Sequence, residues 1–360
     1  MVHVSESAVR SGCFGGAAKS IDSSRSVTTF SCLNLAVLPT LRRHQVLTFL
    51  RERAPLLTFG LGHIWRDFKR AMQAAEERLT THSKIAKTAL GSIQYSDVGR
   101  GPVVLMVHGA GGGFDQGREI GETLVSHGYR TIAVSRFGYL GTPMPADASP
   151  AAQGDAFAAL LDTLGIRDVI VVAASAGTPS ALQLAIRHPS RVKSLVLMAP
   201  ATYVPRANNA PALNITRFTR HVLNFAVFSD FTFWASTRLA QPLLIKSLLA
   251  TSPEMLAAAD QSERERASHV LDMVLPISAR RAGLLHDVGI VTSLSRYELE
   301  KITARTLIFS AADDYFGTYD AGKYTAEQIP GARFVGFQDG GHLAVGHEKE
   351  VLTEILAFLK

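Results

Sequence analysis

From residue 87 onward, apolar runs alternate with segments of helical periodicity. Four runs are apolar without alternating polar positions, which is typical of strands buried on both faces of a parallel sheet: "PVVLMVHG", "YRTIAVSR", "DVIVVAAS" and "VKSLVLMAP". The segments "DQGREIGETLVSHG", "SPAAQGDAFAALLDTLG" and "TPSALQLAIRHP" have helical spacing, with Ser149 as a predicted N-cap and Gly165 as a predicted helix end. This alternation predicts an α/β fold with a mostly parallel, doubly wound sheet.

The alternation stops between residues 202 and 297, a helical stretch that is rich in aromatic residues. These include Phe218, Phe225, Phe228, Phe231, Phe233 and Trp234. An insertion of this size is more typical of a lid than of a structureless loop, and most of its aromatic side chains should form its own core. The strands "TARTLIFSA" and "ARFVGFQDGG" and a final helix follow. We therefore predict a core of residues 86–201 and 298–360 and a helical lid of residues 202–297.

Residues 1–85 form a basic N-terminal extension with one predicted helix. Residues 1–40 are Ser-rich, basic and poor in acidic residues, as a presequence is, although no convincing cleavage site is present. Residues 57–79 mix apolar and basic positions at helical spacing. This helix is expected to pack on the flank of the domain, and the alternative is peripheral contact with a membrane surface. The default expectation for the compartment is cytoplasmic.

The net charge of +6 does not by itself indicate a nucleic-acid partner. Nearly all the excess positive charge lies in the first 90 residues, and the remainder has no basic stripe of the kind that binds nucleic acid. Cys13 and Cys32 are the only cysteines, so neither a disulfide framework nor a cysteine-based zinc site is expected. The expected partner is a small-molecule substrate.

Ser175 lies where a buried strand turns into a helix. A nucleophilic serine on such a turn has small residues two positions before it and two positions after it. The strained backbone brings these two residues close to each other and to the backbone of neighbouring segments. Glycine is usual at both positions, and this chain has Ala173 and Gly177. Alanine adds one methyl group, so the motif is weakened but kept. The alternative is an ordinary small residue at a strand–helix junction.

A second strand end carries the glycine-rich loop "HGAGGGF". Acyl chemistry needs two N–H donors for the developing oxyanion, one after the nucleophile and one from this loop. We assign them to the backbone amides of Ala176 and of Ala110, with Gly111 as the alternative to Ala110. His108 is expected to orient the loop. A dinucleotide phosphate cradle would need a glycine at position 114, where this chain has Phe114.

The third and fourth strand ends supply a base and an acid. His342 directly follows the last strand and is preferred as general base over His347, which is expected near the start of the last helix. The imidazole needs a carboxylate partner, for which both Asp313 and Asp314 qualify by type. The chain order Ser, Asp, His is the order expected for a triad on this type of sheet.

From about Ser92 to Lys360 the chain resembles the α/β-hydrolase superfamily, in particular its lidded esterases and carbon–carbon bond hydrolases. The resemblance is carried by "VVLMVHGAGGG", "SRFGYLGT", "VVAASAGTPSALQLAIRHPSRVKSLVLMAP", "TLIFSAADDYFG" and "GGHLAVGHEKEVLTEILAFL". It implies that Asp314 is the acid, with Asp313 as the alternative. A serine at 175 argues against the dehalogenase and epoxide hydrolase branches, which have aspartate there. Thr178 departs from the second glycine that is usual in the carbon–carbon hydrolases.

The resemblance implies hydrolysis through a Ser175–His342–Asp314 triad and an acyl-enzyme, without a metal or organic cofactor. The expected substrate is an ester of moderate size with an apolar part. The alternatives are cleavage of a carbon–carbon bond in a vinylogous diketone, and a ligand receptor on the same fold with negligible turnover. Arg280 and Arg281 in the lid are candidates to hold a substrate carboxylate, although exposure to solvent is expected for both.

Overall fold

A single mixed sheet organises the domain in the computed structural model, which describes residues 43–205 and 217–360. Side chains are described from residue 62 onward, except at 218–220, 222 and 223. The strands are β1 (Lys84–Thr88), β2 (Gly91–Gly99), β3 (Val103–Val107), β4 (Arg130–Val134), β5 (Val169–Ala174), β6 (Val192–Met198), β7 (Arg305–Ala311) and β8 (Arg333–Phe337). Their order is β1-β2-β4-β3-β5-β6-β7-β8. The pairs β1–β2 and β2–β4 are antiparallel and all the others are parallel.

Twelve α-helices accompany the strands in the described part of the chain. They are α1 (Arg43–Thr80), α2 (Phe114–Ser126), α3 (Pro150–Thr163), α4 (Thr178–Arg187), α5 (Arg217–Ala226), α6 (Asp230–Leu239), α7 (Gln241–Leu248), α8 (Pro253–Ala258), α9 (Gln261–Asp272), α10 (Arg281–Thr292), α11 (Thr318–Gln328) and α12 (Glu348–Leu359). The predicted N-cap is present, because the Ser149 hydroxyl accepts a hydrogen bond from the N–H of Ala152 at the start of α3.

The parallel strands are buried on both faces because helices cover each side of the sheet. Alternate residues point to opposite faces, so Leu105 and Val171 pack with α3 and α4 in one cluster. Val104 and Val172 belong to a second cluster, which also contains residues of α2 and α12. This double burial explains the uninterrupted apolar runs in the sequence. The sheet thereby brings the carboxyl ends of β3 to β8 to one edge, where open α/β sheets bind ligands.

The helices α5 to α10 lie between β6 and β7 in the chain and have their own apolar core. We call them the helical insertion. Its core includes Phe233 and Trp234, as expected for part of the aromatic set, and also takes in Phe68 and Ala75 of α1. The second half of α1 therefore packs on the insertion. Phe225 and Phe228, in contrast, are exposed.

The chain divides into a unit that ends at Leu61 and a unit from Gly62 to Lys360, which contains the sheet and the helical insertion. The first strand begins at Lys84, close to the predicted start of the core. The suggested presequence, both cysteines, residues 206–216 of the insertion and the side chain of Phe218 lie outside the described residues. Among the residues that are described, no helix is long and apolar enough to cross a bilayer.

Candidate active site

Ser175 occupies a strained turn between β5 and α4. Its φ is +48°, in the left-handed region that a residue with a Cβ seldom adopts, at a cost of about 1–3 kcal/mol. Two contacts hold the backbone there: the Thr178 hydroxyl donates to the Ser175 carbonyl at 2.7 Å, and the N–H of Ala201 donates to the same oxygen at 3.3 Å. The geometry is that of the strand-to-helix elbow which the sequence pattern predicts.

The positions around Ser175 must be small because other backbone passes close to them. A Cβ on Gly177 would lie 2.4 Å from the carbonyl oxygen of His108, so only glycine fits there. A Cβ on Gly109 would lie 3.2 Å from the Cβ of Ser175, which shows how closely this loop approaches the turn. Ala173 is fully buried within β5, where its methyl group is part of the apolar cluster. The alanine at position 173, where glycine is usual, therefore leaves the turn intact.

His342 and Asp314 are in direct contact after β8 and β7. The Nδ1 of His342 lies 2.7 Å from Oδ2 of Asp314, whose side chain is fully buried. Burial favours a higher pKa for the Asp314 carboxyl, but attraction to His342 and hydrogen bonds from His342, Thr318 and the N–H of Phe316 outweigh it and lower the pKa below its usual value. Asp314 is thus held as a carboxylate beside the Nδ1 nitrogen of the imidazole.

The competing residues have other partners. Asp313 accepts a hydrogen bond from the N–H of Gly341 at 2.8 Å and so supports the backbone of the histidine loop. His347 directly precedes α12, with its Nε2 2.8 Å from Asp339 and its ring stacked on Phe337. These contacts favour Asp314 and His342 as the acid and the base.

Phe316 connects the histidine with the serine turn. Its ring packs edge-on against His342, with centroids 5.2 Å apart, and it also contacts the apolar cluster of Ala176, Ala201 and Val291. No hydrogen bond joins the Ser175 hydroxyl to His342 within the described part of the chain. Phe316 therefore lies between the candidate base and the serine turn.

The loop after β3 contains the two amides that the sequence offers as oxyanion donors, those of Ala110 and Gly111. The N–H of Gly111 donates to the Tyr139 hydroxyl at 3.2 Å, and the N–H of Gly112 donates to the carbonyl of Gly109 at 3.3 Å. The N–H of Ala110 has no hydrogen-bond partner among the described residues. Of the two amides considered from the sequence, this arrangement favours Ala110 over Gly111.

His108 holds this loop from beneath, as expected for an orienting residue. The N–H of Arg136 donates to its Nε2 at 3.1 Å, so the other nitrogen, Nδ1, carries the proton and donates to the Gly109 carbonyl at 2.7 Å. Burial, reinforced by the positive charge of Arg136, lowers the pKa of His108 well below its usual 6.5. The imidazole is therefore neutral at pH 7, as this hydrogen-bond pattern requires.

A first buried ion pair connects the helical insertion to the loop after β3. Asp287 of α10 pairs with Arg136, whose Nη1 lies 2.8 Å from Oδ1 of the carboxylate. The same arginine donates from Nε to the carbonyl of His108 at 2.9 Å. Asp287 also accepts from the hydroxyl of Tyr139, the group that holds Gly111. The insertion and the loop thus share one network of charged and polar groups.

A second buried ion pair centres on Asp115, at the start of α2. Arg280 donates to Asp115 from Nη2 at 2.7 Å and to the carbonyl of Gly112 from Nη1 at 2.6 Å, and both charged side chains are fully buried. Arg78 of α1 adds a contact of 2.9 Å to the same carboxylate. A Cβ on Gly113 would lie 2.5 Å from Nη1 of Arg280, so the last glycine of the loop makes room for the guanidinium.

The expectation that Arg280 and Arg281 are exposed is wrong. Arg280 is fully buried because Asp115 neutralises its charge. Arg281 is half-buried, and its guanidinium donates to the carbonyls of Val227 and Phe228. Both guanidinium groups are therefore engaged within the protein. Among the described residues there is also no cluster of His, Cys, Asp and Glu side chains suited to hold a metal ion.

Replacing Asp115 with asparagine is expected to destabilise the fold by about 3–5 kcal/mol, because Arg280 would remain buried without its counter-charge. Burial favours a higher pKa for Asp115, but Arg280 and Arg78 outweigh it and lower the pKa below its usual 3.8. The wild type should therefore lose this stabilisation as the pH falls below about 4, and the variant should lack that part of the pH dependence. Urea unfolding at pH 7 and at pH 3 measures both effects.

Asp97→Asn is the matched control for this change. Asp97 pairs with Arg130 at 2.8 Å, but the pair is partly exposed to solvent. Its loss should cost about 1 kcal/mol or less. Equal destabilisation by the two substitutions would contradict the assignment of Asp115 as a buried structural counter-ion.

Comparisons with known proteins agree with this fold. The family model described as the alpha/beta hydrolase fold matches residues 102–348, which is more than half of the chain. An alpha/beta hydrolase fold protein from Nakamurella multipartita is similar in structure, with a TM-score of 0.60 and 30% sequence identity. This similarity covers 77% of the present chain and 98% of that protein.

Two curated relatives are hydrolases. The 2-hydroxy-6-oxo-6-phenylhexa-2,4-dienoate hydrolase of Comamonas testosteroni is 26% identical over 76% of this chain and 93% of its own length. The uncharacterized hydrolase YcgS of Bacillus subtilis is 38% identical, but over 31% of this chain and 39% of its own length. The chain belongs to the α/β-hydrolase family and is a hydrolase.

Proposed function

We propose that the protein is a serine hydrolase that cleaves carboxylic esters of moderate size and apolar character. The observation that carries the proposal is the φ of +48° at Ser175. Neighbouring chain approaches this elbow closely at Gly109 and Gly177, where a Cβ would meet the side chain of Ser175 and the carbonyl oxygen of His108, respectively. Strain of this kind persists where the surrounding structure imposes it, and at such elbows it lifts the serine hydroxyl above the sheet. Ser175 is the nucleophile in this proposal.

The first half of the reaction forms an acyl-enzyme. The Ser175 oxygen attacks the ester carbonyl carbon while Nε2 of His342 accepts the hydroxyl proton. This assignment of the ring nitrogens is supported by the contact of Nδ1 with Asp314, which leaves Nε2 for the serine. The tetrahedral intermediate collapses with cleavage of the C–O bond, and the imidazolium donates its proton to the departing alcohol.

The second half releases the acid. Water loses a proton to His342 and attacks the acyl carbon, the bond to the Ser175 oxygen breaks, and that oxygen regains the proton from the imidazolium. The backbone amides of Ala110 and Ala176 hold the negative oxygen in both halves. The N–H of Ala110, which has no hydrogen-bond partner in the part of the chain that the structure describes, supports the first of these assignments. Asp314 keeps Nδ1 protonated and stabilises the imidazolium.

The helical insertion is the proposed lid. Val291 of α10 contacts Ala176 and Phe316, beside both the serine and the histidine. A Cβ on Gly111 would lie 3.6 Å from the side chain of Val274, which belongs to the connection between α9 and α10. Aliphatic groups from the insertion therefore approach the site at two points, which supports a substrate with an apolar part and a site that excludes bulk water.

Carbon–carbon bond hydrolysis by the same residues is the second candidate. The Comamonas testosteroni relative is named as a hydrolase of 2-hydroxy-6-oxo-6-phenylhexa-2,4-dienoate, and the similarity extends over 93% of its length. Against this candidate stands Thr178, whose hydroxyl bonds the carbonyl of Ser175, at a position where the carbon–carbon hydrolases usually have a second glycine. We therefore place ester hydrolysis first.

A direct comparison of two substrates separates the candidates. The wild-type protein should hydrolyse a short-chain p-nitrophenyl ester with a kcat/KM at least about tenfold above that for 2-hydroxy-6-oxo-6-phenylhexa-2,4-dienoate. The ratio of the two kcat/KM values measures which of the two transition states the site binds more tightly. Ser175→Ala should abolish both reactions. A preference for the dienoate would assign the carbon–carbon reaction instead. Ligand binding with turnover that does not depend on Ser175 would indicate a receptor and overturn the proposal.

A further inference from the structure

Five large apolar side chains are exposed on α1 and at the start of the helical insertion. Their exposed fractions range from 40% to 74%, and we call them the aromatic patch: Ile64, Trp65, Phe225, Phe228 and Phe231. The ring centroids of Trp65 and Phe231 lie 6.3 Å apart, which joins the helix α1 to α6. Phe225 lies near the end of α5, and Phe228 lies in the turn between α5 and α6. Clusters of this kind on a protein surface mark sites of interaction.

The patch continues a face of α1 that is buried farther along the helix. Phe68, Met72 and Ala75 of α1 pack in the core of the insertion at spacings of three and four residues. Ile64 and Trp65 precede Phe68 by four and three residues and therefore lie on the same face. This apolar face thus extends beyond the part that the insertion covers.

Basic side chains lie beside the patch on α1. Arg66, Lys69 and Arg70 are exposed on the same turns of α1, and the Lys69 ammonium lies 5.7 Å from the centre of the Trp65 ring. Asp67 is the acidic residue among them and contacts Arg70 at 3.6 Å. On α6, Arg238 lies over the ring of Trp234 and pairs with Asp272. The rim of the patch on α1 therefore carries a net positive charge.

We propose that the aromatic patch is a docking surface for an anionic lipid bilayer. Aromatic rings favour the boundary between headgroups and acyl chains, and each nearby lysine or arginine is attracted to anionic lipids. A second copy of the chain is a poorer occupant, because a two-fold interface through the patch would bring the basic rims of both copies together. This surface is separate from the proposed ester hydrolysis and does not depend on it.

The two tryptophans allow a direct test of docking. Trp65 is half exposed, whereas Trp234 is buried, so a lipid-dependent change in emission reports on Trp65. The full-length protein is titrated with vesicles of phosphatidylcholine alone, and with vesicles of phosphatidylcholine and phosphatidylglycerol in equal parts. We expect binding, a blue shift and protection from acrylamide on the anionic vesicles, each weakening as salt is added.

Substitutions locate the surface. Phe228→Ser should lower the vesicle partition coefficient about tenfold because a large apolar side chain is lost, and Lys69→Glu combined with Arg70→Glu should lower it at least about tenfold. Leu90→Ser is the control, because Leu90 is also an exposed large apolar residue but lies in the turn between β1 and β2. Thermal unfolding verifies that each variant is folded.

Several results would overturn the proposal. One is the absence of binding to the anionic vesicles. Another is a vesicle partition coefficient that is the same for Phe228→Ser and for the charge-reversal variant as for the control Leu90→Ser. A third is a wild-type protein that self-associates but does not bind lipid, with the self-association abolished by Phe228→Ser. This result would assign the patch to contact between copies of the chain.

Discussion

Ser175→Ala is expected to lower kcat for a p-nitrophenyl ester by about 10⁴- to 10⁶-fold, because the proposed acyl-enzyme forms on the Ser175 oxygen. The substitution removes one oxygen from a side chain whose hydroxyl makes no hydrogen bond among the described residues, so the fold should be unaffected. Binding of the substrate should change little, and the loss should therefore fall on kcat rather than on KM. Steady-state kinetics with both proteins at matched concentration measure this directly.

Ser194→Ala is the control for the loss of a buried serine. Ser194 lies on β6, the strand beside β5, and is almost fully buried. Its replacement should leave kcat within about threefold of the wild type, as is usual for a residue outside the reacting groups. Activity of Ser175→Ala within about tenfold of the wild type would contradict the nucleophile assignment.

Asp314→Asn is expected to lower kcat by about 10³- to 10⁴-fold. The amide cannot stabilise an imidazolium, and its NH₂ group can donate to Nδ1 of His342, which places the proton on the ring nitrogen that should accept it from Ser175. The shape of the side chain is preserved, so the contact with His342 changes in charge rather than in size. The rate of ester hydrolysis across the pH range gives the measurement.

Asp313→Asn supplies the matched comparison from the adjacent position. Asp313 accepts from the N–H of Gly341, and the carbonyl oxygen of asparagine can accept the same hydrogen bond. We expect its kcat to stay within about tenfold of the wild type. The reverse ranking of the two variants would make Asp313 the acid and would contradict the contact that places Asp314 beside His342.

The positions of the candidate site residues could be predicted because a parallel sheet collects strand ends at one edge. Buried strands leave uninterrupted apolar runs, and the chemistry-bearing residues directly follow these runs at Ser175, Asp314 and His342. The choice between Asp313 and Asp314 was different. Both follow the same strand, so the pattern could not decide between them, and the contacts of their side chains distinguish them.

The buried ion pairs could not be predicted from the sequence. Arg280 and Asp115 are 165 positions apart. The local sequence around each residue does not distinguish a buried charge from a charge exposed on the surface of a helix. The expected exposure of Arg280 followed from its charge, which is a sound rule for an arginine without a partner. Its burial depends on a counter-ion that the fold supplies from α2, and on Gly113, which leaves space for the guanidinium.

The sequence pattern also could not predict the first strand or the individual helices of the insertion. β1 is a short edge strand of five residues, and its antiparallel pairing with β2 is set by the chain turn at Gly91 rather than by an apolar run. The helices of the insertion pack on one another and on α1, so their boundaries depend on tertiary contacts.

The reaction of the folded protein with a fluorophosphonate probe, followed by peptide mapping, tests the proposed role of Ser175 most directly. We expect one adduct, on the peptide that contains Ser175, absent from Ser175→Ala and formed more slowly by Asp314→Asn. An adduct on a different residue, or an unlabelled wild-type protein that still hydrolyses the ester, would contradict the account.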